Sequence, residues 1–435
     1  MLIWAVICLC VFQQGAAQPP LTGTRCTDRE SLERFVAVQY PKGITYNTRC
    51  PDATWIDVFL RCPSIKCAER PIVMYHIGCN KGFDALKAWM QVTRQSIDLR
   101  AYKKATGFGC GACNQCTAQP DSLQTNDADK KQLRLFCVEP MPATFDTVST
   151  HISQLGLDKA GLVVQNAAFT SLEDATVRNM SAPFPTDMKY LGDEQVGISV
   201  FNPKLAPHRM VPLMTVDMHV RQHSVPQIDI MSIDTEGQDA LVLVGAQETL
   251  REKVSYVEFE YNGLGDWKNR SLRGTIDYLD GLGFTCYWAG LDRLWLITGC
   301  FHPGYDHRTW SNVACVKRHQ REWYGIMEDI ANRTWQEWRM FQGVQEVLKK
   351  YANREAKAIL IYRKLRHSNR FAGAHVVMPP ALTGCAPSLD AGRPAVPNAQ
   401  TVLSGLAGQS HSTFWVGMMV GVGLGRLLHG MKNRL

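Results

Sequence analysis

The 435-residue sequence contains no apolar run of the roughly twenty residues that a bilayer-crossing helix needs. Its two terminal apolar runs, Leu2 to Phe12 and Phe414 to Leu428, are both shorter. Charge of one sign is scarce as well. The net charge is only +7, too slight to argue for a nucleic-acid partner, and none is expected. With 45% hydrophobic and 20% charged residues, the composition excludes long disorder, a collagen and a multispanning membrane protein. Cysteine, by contrast, is abundant, at fifteen residues.

The first run ends in Gly15-Ala16-Ala17, the small-residue pattern of a secretory signal peptide cleaved after Ala17, although no Lys or Arg precedes it. Loss of Cys8 and Cys10 would leave thirteen cysteines in an oxidising compartment, an odd number, so at least one has no partner within the chain. Three N-x-S/T tripeptides begin at Asn179, Asn269 and Asn332 and fit N-glycosylation there. The second run has Trp415 at one margin, Lys432 and Arg434 beyond the other, and Gly417, Gly421 and Gly425 on one helix face. These features point to a single-pass anchor with a short basic tail, holding the rest in a lumen or outside the cell.

Between the ends, apolar strand-like runs start at Pro71 and alternate with helical periodicity: 72–77, 133–138, 162–169, 228–233, 254–261, 284–289 and 294–298. Continuous apolar strands separated by amphipathic helices predict an α/β fold with a mostly parallel, seven-stranded sheet covered on both faces, the last two strands closing as an antiparallel hairpin. The expected order is a signal peptide (1–17), a cysteine-containing irregular arm (18–70), the α/β domain (71–301), a basic helical extension (302–370), a Pro/Gly/Ser-rich stalk (371–412), a membrane helix (413–429) and a tail (430–435). From Lys349 to Arg370 eight Lys and Arg face one Glu, read as a solvated face or as attraction to anionic headgroups or acidic glycans.

The first strand runs through His76-Ile-Gly78-Cys-Asn80-Lys-Gly82 into a helix, a turn whose glycines and free amides suit an anionic group. The second strand ends in Val-Glu139-Pro, where a carboxylate can accept both hydroxyls of a ribose. Asn166-Ala167 follows the third strand, and Ile233-Asp234-Thr-Glu236-Gly237 the fourth. Acidic side chains therefore collect at the carboxyl ends of the strands, where such sheets bind ligands. The turn is G-x-x-x-G and not G-x-G-x-x-G, which disfavours a dehydrogenase.

In order, H-I-G-C-N-K-G, V-E-P, N-A-A, T-V-D217 and I-D-I-M-S-I-D-T-E-G-Q-D-A-L-V-L-V-G-A resemble the FkbM-type methyltransferases over about Ile72 to Cys300. The resemblance implies a class I, Rossmann-like fold using S-adenosylmethionine. It implies that Gly78, Asn80 and Gly82 hold the methionine end, Glu139 the ribose, and Asn166 and Ala167 the adenine. Asp234 and Glu236 would line the crevice where donor meets acceptor. The expected reaction is O-methylation of a hydroxyl or carboxyl on a glycan or small metabolite, with Asp234, Glu236 and His76 as candidate bases. Two residues depart from the family pattern: His76 stands where Asp is usual, and Ser232 where Lys is common. These departures leave a second reading, a lapsed enzyme serving as an anchored binding module. The Cys110, Cys113 and Cys116 cluster lacks a clear fourth ligand, so disulfides are expected there and no metal, while Cys79 and Cys137 read as reduced packing residues.

Overall fold

The structure, a computed structural model, describes residues 25–40, 43–51, 54–60, 70–113, 116–118, 131–193, 204 and 207–352. Its strands are β1 (Ile72–Ile77), β2 (Leu133–Val138), β3 (Leu162–Gln165), β4 (Ala168–Phe169), β5 (Ser181–Pro185), β6 (His208–Met214), β7 (Ile228–Ile233), β8 (Val254–Tyr261), β9 (Phe284–Gly290), β10 (Arg293–Leu296) and β11 (Ser311–Lys317). The main sheet has the order β10-β9-β11-β8-β7-β1-β2-β3. Pairs β3-β2-β1-β7-β8 are parallel, and β11 is antiparallel to both of its neighbours, β8 and β9.

Side chains alternate between two cores as the pleat demands: Ile72 and Met74 belong to one, Val73, Tyr75 and Ile77 to the other. The first core holds residues from helices Thr54–Leu60, Phe83–Thr93, Pro142–Gln154 and Arg321–Ala352. The second holds residues from helices Val216–Gln222, Asp239–Gly245, Gln247–Glu252 and Leu272–Gly281. Burial on both faces is why the strands read as unbroken apolar runs.

The sequence-based fold needs four corrections. The sheet has eight strands, because β11 lies within the stretch expected to be a helical extension and inserts between β8 and β9. The run 162–169 breaks at Asn166-Ala167, and its end, β4, joins β5 and β6 in a separate three-stranded sheet. The arm is not irregular: a capping box of Thr27 and Glu30 starts helix Asp28–Gln39, and two shorter helices follow. Cys79 and Cys137 are joined in a disulfide, as are Cys26 with Cys300, Cys50 with Cys113, Cys110 with Cys116, and Cys286 with Cys315. All ten described cysteines are thus paired, including the three of the suspected metal-like cluster.

Among the described residues no helix is long and apolar enough to cross a membrane, which overturns the expected single-pass topology. The segments behind that expectation, 1–17, 371–412 and 413–429, lie outside the described residues, as does most of the basic stretch 349–370.

Candidate functional site

A cavity of about 1530 Å³ opens at the carboxyl ends of β1, β2, β7 and β8. Sites for a single small ligand commonly occupy roughly 300–1000 Å³, so this one has room for two molecules. Of the residues singled out in the sequence, His76, Gly78, Asn80, Gly82, Glu139, Ala167, Asp234 and Glu236 all line it. Asn166 does not. Its side chain donates to the carbonyls of Glu139 (2.9 Å) and Pro140 (3.0 Å), fixing the chain just past β2.

Glu139 is the best-defined group. It is 4% exposed, and each carboxylate oxygen accepts one backbone N–H, from Asn80 (2.7 Å) and from Met141 (2.8 Å). One lone pair remains on each oxygen, so two ligand hydroxyls can still be accepted. Burial pushes its pKa up to about 7, against the two amide donors that favour the ionised form. Asn80 reaches it from a left-handed backbone, φ 43°. The Cys79–Cys137 disulfide runs alongside, joining the turn after β1 to β2 two residues before Glu139.

Gly78 answers a constraint that the sequence did not reveal. At φ 82°, an added Cβ would lie 1.7 Å from the carbonyl oxygen of Asp234. Glycine here lets the ends of β1 and β7 come together, with Asp234 N–H donating to the Ile77 carbonyl at 2.9 Å, rather than making room for a ligand. The other half of this junction is also held in the left-handed region, with Glu236 at φ 54° and Gly237 at φ 93°. A non-glycine residue there costs of order 1–3 kcal/mol, a feature concentrated at ligand sites.

Two cavity carboxylates escaped the sequence reading. Glu258 and Glu260, two apart on β8, share the face that carries His76 on β1 and Ser232 on β7. Strand register puts His76 opposite Ser232 and Ser232 opposite Glu258, so the two departures from the family pattern are neighbours. Ser232 donates to Glu258 at 2.9 Å, Tyr256 donates to its other oxygen at 2.7 Å, and Trp55 Nε1 donates to Tyr256 at 3.0 Å. The signal was present in V-E-F-E, an alternation of carboxylates in a strand otherwise apolar.

Burial lowers the His76 pKa from its ordinary range, opposed in part by Asp84, so the imidazole is neutral at pH 7 and can accept a proton. Burial and the charges of Asp234, Asp239 and Glu236 raise Glu260 to about 10, and Asn262 donates to it. Burial, then Asp234, raises Asp239 to about 7 while Thr235 donates to it at 3.1 Å. Among the described residues no group of three or more His, Cys, Asp or Glu is arranged to hold a metal ion.

These acids make stability fall as pH rises. From about pH 5 to 7 the folded chain holds protons on Glu260, Asp239 and Glu139 that the unfolded chain has already released, and from about pH 7 to 8.5 Glu260 continues to do so, each weakening stability by up to ~1.4 kcal/mol per pH unit. Melting temperature is expected to drop across this range, and Glu260→Gln to flatten the drop. A pH-independent melting temperature from 6.5 to 8.5 would contradict these protonation states.

Residues 121–286 match the family model described as the methyltransferase FkbM domain. The match covers less than half of the chain. Its matched span contains β2, β7 and β8 with Glu139, Asp234 and Glu236, and stops short of β1, whose turn completes the cavity. No curated protein matches the chain. Solved structures similar to it include the methyltransferase FkbM from Methylobacillus flagellatus KT, at 10% identity over 66% of this chain and 59% of that one, TM-score 0.27. A SAM-dependent methyltransferase from Agrobacterium tumefaciens is similar at 10% identity over 60% of this chain and 61% of that one, TM-score 0.26. This chain thus spans about three fifths of the length of either protein.

Proposed function

We propose that the chain is an S-adenosylmethionine-dependent methyltransferase that modifies an oxygen of a small metabolite or glycan. The observation that carries this reading is Glu139: a buried carboxylate at the end of the second parallel strand, tied to the turn after the first, with a free lone pair on each oxygen inside a cavity large enough for two ligands. These residues fit the cofactor. Glu139 would take the ribose hydroxyls, Ala167 would border the adenine, and the turn from Gly78 to Gly82 would border the methionine end. When bound, the cofactor supplies a methyl group already activated by its sulfonium charge. The acids at Asp234 and Glu236 make the strand ends favourable for that cation.

The protein's own task is alignment and exclusion of water. A hydroxyl acceptor must also lose its proton, and the neutral His76, with Asp234 and Glu236, provides bases on the cavity wall. Glu258 and Glu260, held towards the protonated form, serve better as hydrogen-bond donors to the acceptor. Titration calorimetry tests the reading: S-adenosylmethionine should bind saturably and NAD should not. Failure of the folded protein to bind S-adenosylmethionine would reject it.

A further inference from the structure

The same cavity is lined by side chains of both charges. One set is Asp234 and Glu236. The other is Arg49 from the arm and Arg308, with Trp310 beside them, from the connection between β10 and β11. Both arginines are exposed, and among the described residues neither makes an ion pair. Arg49 is nevertheless held in place. Asn312 on β11 donates to the carbonyls of Thr48 (2.7 Å) and Arg49 (3.2 Å), and the Arg49 guanidinium lies over the Trp310 ring, 4.4 Å from its centroid. Arg308 lies near the Tyr261 hydroxyl, which donates to Asp306. The Trp310 Nε1–H is buried and has no acceptor among the described residues.

Two exposed guanidiniums without an ion pair among the described residues, on the wall of one cavity, form a cationic patch suited to an anion. We propose that the methyl acceptor carries a carboxylate, sulfate or phosphate group that docks between Arg49 and Arg308, leaving its reacting oxygen towards Asp234. This rests on the methyltransferase reading for the word acceptor; the anion site itself does not need the cofactor. Guanidinium suits such groups because its planar N–H fork matches two oxygens, and its stacking on an indole limits what it loses on binding. A neutral polyol would leave both cations as they are.

The experiment follows the indole N–H resonance of Trp310, assigned with Trp310→Phe, in the full chain without cofactor. Inorganic phosphate, D-glucuronate and D-glucose are added in turn at constant ionic strength. Phosphate and glucuronate should shift the resonance saturably and glucose should not. Arg49→Ala and Arg308→Ala should each weaken glucuronate roughly tenfold, the loss of a charge-assisted hydrogen bond. Arg49→Lys should recover part of that loss. Calorimetry with S-adenosylmethionine on the same variants checks folding and tests the enzyme reading separately. The proposal is overturned if glucose shifts the resonance as strongly as glucuronate, if neither anion shifts it, or if the alanine variants bind as the wild type does.

Discussion

Replacing Glu139 with Ala is expected to weaken S-adenosylmethionine binding at least ~100-fold, with an unchanged circular dichroism spectrum. The ribose would lose two hydrogen bonds to an ionised group, each contributing ~1.5–3 kcal/mol, and 1.4 kcal/mol is a factor of ten. The turn would loosen as well, because the amides of Asn80 and Met141 lose their acceptor. Glu139→Gln separates charge from shape, since it keeps an acceptor oxygen but no charge, and should cost about tenfold. With a pKa of about 7, the wild-type carboxylate gains charge as pH rises through neutrality, so affinity should climb between pH 6 and 8 and stay flat in Glu139→Gln. Wild-type affinity in Glu139→Ala would detach this residue from the cofactor altogether.

Breaking the Cys79–Cys137 disulfide is expected to have the second large effect. It closes a loop of sequence separation 58, and the chain-entropy account assigns about 4 kcal/mol to a loop of that size. At ~2 °C per kcal/mol the paired Cys79→Ala, Cys137→Ala variant should melt roughly 8 °C lower. Because the bond joins the turn to the strand that carries Glu139, the same variant should bind S-adenosylmethionine several-fold less tightly even well below its melting temperature. Calorimetry at 15 °C beside a melting curve checks both. A loss of stability with full affinity would confine the bond to a general structural role.

Much of this site was visible in the linear sequence for a geometric reason. In a parallel sheet every strand delivers its last residue to the same edge, so His76, Glu139 and Asp234, each at or just beyond a strand end, had to converge once the strands were recognised. The strands themselves were legible because burial on both faces leaves them apolar throughout. What failed to show was everything set by pairing across long stretches of chain. β11 has the short, mixed sequence S-N-V-A-C-V-K and becomes a strand by inserting between β8 and β9. The cysteine partners are up to 274 residues apart, and no local pattern encodes such a choice. Arg49 and Arg308 likewise carry no sequence signal, and only the fold places them on one cavity wall.

The arm that lines part of the cavity is fastened at two points, Cys26 to Cys300 and Cys50 to Cys113. Reduction would cut both rivets at once, so the placement of Arg49 on the cavity wall is tied to an oxidising medium.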